Sequence, residues 1–204
     1  MSFKWRNGMK RTEFEAKYWN YYQHIESKFM NVSSFVYFDK ANFNVYSYEF
    51  VSLLQNIGAE IDVLFKQICG YPGDRNKNMN NYKGDILSSY PGIKEEKVNV
   101  SYFDIQLQPF EELEKAMKWW KSYNMIKHDR LGNISEANLE NVLSALAALF
   151  LLERHLLSIL IDDNTYVLLK PSSIFKIEGV DIQPKMSWIA KKDGGMALIY
   201  DDEE

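Results

Sequence analysis

The segment "VLSALAALFLLERHLLSILI", residues 142–161, constrains the fold more than any other stretch. From Leu143 to Leu152 its apolar residues nearly encircle a helix, so a helix built from it has to be buried on almost every side. Glu153, Arg154 and His155 interrupt the run, which argues for the core helix of a bundle over a membrane span. The pattern extends over "SEANLENVLSALAALFLLERHLLSILIDD", where Ser135 is placed to cap a helix of about seven turns. His155 then reads as a satisfied buried histidine or a member of an interhelical salt bridge.

A central helix needs partners, and three other stretches have the period to supply them. "TEFE" sets Thr12 as an N-cap with Glu15 three residues on, a capping box. Phe14, Tyr18, Tyr21, Tyr22, Ile25 and Phe29 follow as an aromatic core stripe, with His24 beside it. "SYEFVSLLQNIGAEIDVLFKQICGYPG" reads as a second long helix, capped by Ser47 and stopped by Gly70 and Pro72. Gly58 inside it costs roughly 1 kcal/mol against alanine and permits close helix packing. "FEELEKAMKWWKSYNMI" reads as a third helix from Phe110, its acids early, where the helix dipole favours them. Between these, "NVSSFVYFDKANFNVYS" suggests a short strand or a loop, "GDRNKNMNNYKGD" an exposed loop, and "DILSSYPGIKEEKVNVSYFDIQLQPF" a short helix with some extended chain.

After the fourth helix the chain changes character. "TYVLLKPSSIFKIEG" and "MSWIAKKDGGMALIY" are short β-like runs, and Asp193-Gly194-Gly195 suits a hairpin turn. The expected architecture is mainly α: an up-and-down helical bundle over 12–162 with a small C-terminal β-hairpin element over 163–204, in a single domain.

Composition narrows the function. The 204 residues carry a formal charge of -4, so the molecule as a whole lacks the electrostatic signature of a nucleic-acid binder, while a local basic patch stays open. One cysteine, Cys69, allows no internal disulfide and no cysteine-based zinc site; it reads as a small apolar residue. The basic N-terminal run leads to a polar helix, so no signal peptide is expected, and a cytoplasmic protein without a membrane is the default. Walker A, GxGxxG, HExxH and GxSxG patterns are absent, which leaves kinase, dehydrogenase, zinc-protease and α/β-hydrolase readings without support. Neither a cofactor nor a metal is expected.

One cluster carries candidate chemistry. In "WWKSYNMIKHDR", Asn124 and His128 are four apart and share a helical face, with Lys127 adjacent and Arg130 two residues beyond. An imidazole that titrates near neutrality, two cations and an amide suit cleavage of a phosphodiester. In RNA the substrate's own 2′-hydroxyl can attack, so no metal is needed. On spacing alone the simpler reading is a helix end, where Lys, His and Arg complement the dipole and the free carbonyls.

The order "YNMIKH" resembles the motif of the HEPN superfamily, helical-bundle proteins of toxin–antitoxin, CRISPR and abortive-infection systems. Its pattern is an Arg, often with Asn directly after it, then a His after four to six residues. The resemblance spans roughly residues 12–162 in helix order. It implies a metal-independent endoribonuclease whose composite site forms in a homodimer, with His128 as acid or base, Asn124 orienting the phosphate or the His, and Lys127 and Arg130 neutralising charge. The chain departs from the pattern at Tyr123, where the family has its Arg, and members without the full motif serve as RNA-binding or interaction modules. "EIDVLFK" weakly echoes an acid–base pair of the family; Asp62 and Lys66 otherwise read as a surface ion pair. Glu49, Glu60 and Asp62 are candidates to set the His128 tautomer. The alternative is a non-catalytic helical module with a protein partner, anchored by Trp5, Trp119 or Trp188.

Overall fold

Residues 9–160 and 170–177, with the backbone of 186–190 and 196–200, are described by the structure, a computed structural model. The fold is mainly α with a small β element, as the periodicities predict. Helix α6 (Leu139–Leu160) runs through the centre, with Leu143, Leu146, Leu149 and Leu152 fully buried. It passes the length and hydropathy test for a membrane span, but its apolar surface is covered by the other helices. Its main partner is α3 (Tyr48–Ile68), which buries Phe50, Leu54, Ile57, Ile61, Leu64 and Phe65.

Helix α3 starts where the sequence places it, with the Ser47 hydroxyl accepting from the Phe50 N–H at 3.1 Å. It stops before Gly70, which takes the left-handed φ of 77° that closes a helix C-terminus. The start of α6 differs from expectation. Asn138, not Ser135, caps it, accepting from the Asn141 N–H at 3.0 Å, because residues 134–136 form a separate 3-10 turn.

The N-terminal helix also departs from its pattern. It begins at Arg11 without a side-chain cap, so the Thr12–Glu15 capping box does not form. Between α1 (Arg11–Phe14) and α2 (Asn20–Val32), residues Glu15–Trp19 make a π turn. The extra residue in that turn advances the buried stripe by one position. Trp19 goes into the core with Phe14, Tyr22, Ile25 and Phe29, while Tyr21 and His24 remain outside.

Two further differences lie in the middle of the chain. Helix α4 (Met79–Ser89) begins inside the stretch expected as an exposed loop, started by Asn78 and Asn81 in reciprocal capping bonds, and ends in the segment expected to hold a short helix. The third expected helix is shorter: α5 spans Lys118–His128, and residues 109–115 form turns. Ala116, at a φ of 136°, breaks the helical path, and the Trp119 indole donates to the Pro109 carbonyl at 2.8 Å. Residues 33–47 form a loop with a 3-10 turn at Lys40–Asn42.

The β element is a three-stranded antiparallel sheet in the order β2 (Gln106–Leu107), β1 (Val98–Val100), β3 (Phe175–Lys176). A separate antiparallel pair joins β4 (Met186–Ala190) to β5 (Met196–Tyr200), with Met186 opposite Tyr200 and Ala190 opposite Met196. The expected Asp193-Gly194-Gly195 turn lies outside the described residues. The segment entering β3 is tied across α2 by Glu26, a buried carboxylate. It accepts from the Tyr22 hydroxyl at 2.6 Å, from the Ser173 N–H at 3.0 Å and hydroxyl at 2.9 Å, and from the Ser172 hydroxyl.

Candidate functional site

Helix α5 is oriented by a polar knot at its junction with α6. The buried Ser122 hydroxyl donates to a Glu136 carboxylate oxygen at 2.6 Å, and the Asn141 amide donates to Ser122 Oγ and the Glu136 carbonyl, each at 2.9 Å. With the knot on one side, the opposite side of α5 meets α3 and the loop before α4. Tyr123 packs there against Gly58, where any β-carbon would overlap its ring. Tyr123 is thus a buried wedge between helices, and its phenol lacks the fixed charge and the fork of donors of a guanidinium.

The sequence cluster divides at this helix end. Asn124 and Lys127 line a cleft of about 380 Å³ together with Asp62 and Lys66 of α3, Arg75 and Lys77 of the loop, and Asn78 and Asn80 at the start of α4. His128 and Arg130 are exposed and lie outside the lining of that cleft. Among the described residues neither makes a hydrogen bond or ion pair. Asp129 turns away into the following loop, accepting from the Gly132 N–H at 3.1 Å and, through its carbonyl, from the Asn133 amide at 2.7 Å. The Asn124 amide donates to the Trp120 carbonyl within its own helix at 2.8 Å, which leaves its oxygen for the cleft.

The cleft's cations are held in place. Lys66 bonds Asp62 at 2.6 Å, and the other oxygen of that carboxylate accepts from the Tyr82 hydroxyl at 3.0 Å. Burial, and behind it the Asp62 charge, pushes the Tyr82 phenol up, which keeps it a donor. Lys77 sits 4.2 Å over the Tyr71 ring, and Tyr71 is fixed by donating to Asp85 at 2.7 Å. Lys127 lies 5.5 Å over the Tyr123 ring. The expected Asp62–Lys66 ion pair therefore forms, and it lines the cleft.

Among the described residues no carboxylate bonds His128; Glu49, Glu60 and Asp62 make no hydrogen bond to it. Glu60 is raised by burial and lies beside Glu153, which is fully buried with neither oxygen partnered and is held well above the usual carboxylate range, first by burial and then by Glu60. His155 is neither hydrogen-bonded at Nε2 nor in a salt bridge. Its ring stacks on Tyr90 at 4.3 Å, and burial lowers it to about 4. Cys69 is buried and pushed up to about 12 by burial, as an inert apolar thiol should be. Trp119, the expected anchor, is buried; Trp5 and the Trp188 side chain lie outside the described residues.

Sequence reading missed Arg75 and Lys77, which fell inside "GDRNKNMNNYKGD". Their signal was present: Asn78 and Asn81 can start a helix, which turns the basic residues before it into a loop at a helix N-terminus. As a chemical device the cleft offers four cations and several amides around one carboxylate, a surface for anions. No group of three or more His, Cys, Asp or Glu able to hold a metal occurs among the described residues. No family model, no curated protein and no solved structure matches this chain.

Proposed function

We propose that this is a HEPN-like RNA-binding protein that holds the RNA backbone in the cleft between α3, α5 and the loop before α4. The observation that carries this reading is the convergence of Lys66, Arg75, Lys77 and Lys127 on one volume of about 380 Å³. It answers the objection from net charge, since binding depends on where the cations sit. Asn78, Asn80 and Asn124 add polar groups suited to phosphate and sugar oxygens. A ribonuclease activity would need a homodimer, because one copy holds His128 and Arg130 outside the cleft. The defence or toxin–antitoxin setting rests on the motif resemblance alone.

The test is fluorescence anisotropy with single-stranded RNA over a salt series. Lys77→Ala and Lys127→Ala should each weaken binding and reduce the slope of log K against log salt by about 0.7 per cation removed. Unchanged affinity and slope in both variants would end the reading.

A second reading, a non-catalytic module for a protein partner, is favoured by a different observation. Phe35 and Tyr102 are 89% and 91% exposed, and Tyr37 beside them packs edge-on against Phe103 at 5.7 Å. Tyr102 also holds a φ of 69°, a conformation a bulky residue adopts at a cost. Wild type that stays monomeric in light scattering at high concentration, and that resembles Phe35→Ser/Tyr102→Ser in every binding assay, would remove this reading.

A further inference from the structure

Resting on the RNA-binding reading, the charge in the cleft says which part of a strand it suits. Four cationic residues and one carboxylate line the cleft, a net of three positive charges around a volume of about 380 Å³. An internal phosphodiester brings a single negative charge, and its neighbours along the strand are separated from it by a sugar. A phosphomonoester brings about 1.5 to 2 charges near neutrality on one phosphorus, with an additional oxygen to accept hydrogen bonds. The denser ligand is the better match for charge gathered in so small a space.

Three further features point the same way. Lys66, Lys77 and Lys127 are each pre-positioned, by Asp62, the Tyr71 ring and the Tyr123 ring, so little side-chain freedom is lost when an anion arrives. Arg75 is exposed beside them, a guanidinium able to grip two phosphate oxygens at once. The N-terminus of α4, an eleven-residue helix, opens on the cleft through Asn78 and Asn80, and its dipole favours negative charge there.

We propose that the cleft is a phosphomonoester site, selecting a terminal phosphate over an internal phosphodiester. That chemistry has two sources, the phosphorylated end of an RNA strand and a free nucleoside monophosphate.

The experiment compares one short RNA bearing a 5′-phosphate with the same RNA bearing a 5′-hydroxyl, and AMP as a competitor. Wild type should bind the phosphorylated strand roughly ten-fold more tightly or better. The gap should widen from about pH 5.5 to about pH 7.5, as the monoester loses its second proton near pH 6. The cleft lining contains no histidine, so that profile reports the ligand. Arg75→Ala, at an exposed loop position that the fold does not depend on, should remove most of the preference. AMP displacing the strand only at concentrations far above its Kd assigns the site to RNA ends; AMP displacing it at comparable concentration assigns it to free nucleotides. Equal affinity for both ends at every pH overturns the proposal, and leaves the RNA-binding reading standing if Arg75→Ala weakens both alike. AMP binding with no binding of either strand keeps the monoester site and overturns the RNA reading. A preference that survives in Arg75→Ala overturns this assignment of the site.

Discussion

The ring of Tyr123 occupies the space that a β-carbon on Gly58 would need. This one contact sets how closely α5 approaches α3, and hence the width of the cleft whose lining includes Tyr123. Helix propensity alone would have Gly58→Ala stabilise the protein by about 1 kcal/mol. The overlap involves the inner ring atoms of a side chain only 5% exposed, which cannot swing aside, and overpacking of that kind costs about 1–3 kcal/mol. Gly58→Ala should therefore lower the stability in urea unfolding by up to about 2 kcal/mol, the difference of those effects. A rise in stability would show that the wedge is loose. An arginine at 123 meets the same wall and would bury its charge, so it does not restore a guanidinium to the site.

What could be read in the sequence and what could not divide along physical lines. Ser47, Gly70 and the stripe from Phe50 to Ile68 located α3 because capping, glycine conformation and period are local effects. The all-round apolarity of α6 located the core for the same reason. The π turn at Glu15–Trp19 escaped because one inserted residue changes which aromatic faces inward without altering composition. Helix α5 was read as starting at Phe110 because Phe110 and Leu113 are buried at helical spacing, yet they are buried in turns. Half of the candidate site was visible as Asn124, Lys127 and the Asp62–Lys66 pair. Arg75 and Lys77 come from 50 or so residues away and join them only through tertiary packing.

Glu153 should give the protein a pH-dependent stability. It is fully buried beside Glu60 and its folded-state value lies well above that of an unfolded carboxyl. Below the unfolded value, near pH 4.3, both states hold the proton and nothing is lost. As pH rises from there towards the folded value, only the unfolded state gives up its proton, so stability falls until the folded carboxyl also ionises. Glu153→Gln has no proton to lose. Its melting temperature relative to wild type should therefore increase between about pH 5 and about pH 8. Parallel pH profiles for the two proteins would show that Glu153 holds no unusual proton.

Glu26 should govern whether the segment from Lys170 to Phe175 stays docked. Its two oxygens receive four donors, from Tyr22, Ser172 and Ser173, and the rest of the strap relies on bonds such as the Trp19 indole to the Lys170 carbonyl at 2.7 Å. A glutamine has one acceptor oxygen and sets an NH₂ group against donors. Glu26→Gln should cost about 2–3 kcal/mol, since hydrogen bonds to a charged acceptor are the stronger kind and donors would be left buried without partners. Hydrogen exchange at the Ser173 amide should accelerate more than exchange along α3. Equal acceleration everywhere would mean a general loss of stability and no specific strap.

His128 supplies the sharpest test of catalysis. It ends α5 exposed, outside the cleft that takes Asn124 and Lys127, and no carboxylate among the described residues fixes its tautomer. An imidazole without an oriented partner or a phosphate held within hydrogen-bond reach has little to contribute as an acid or base. In EDTA, which silences contaminating metal nucleases, wild type and His128→Ala should leave a mixed RNA pool equally intact, while Lys127→Ala changes binding alone. Cleavage by wild type and not by His128→Ala would reverse that expectation. It would require a second copy of residues 123–130 to complete the centre, and the cleavage rate would then rise with the square of protein concentration below the dimer dissociation constant.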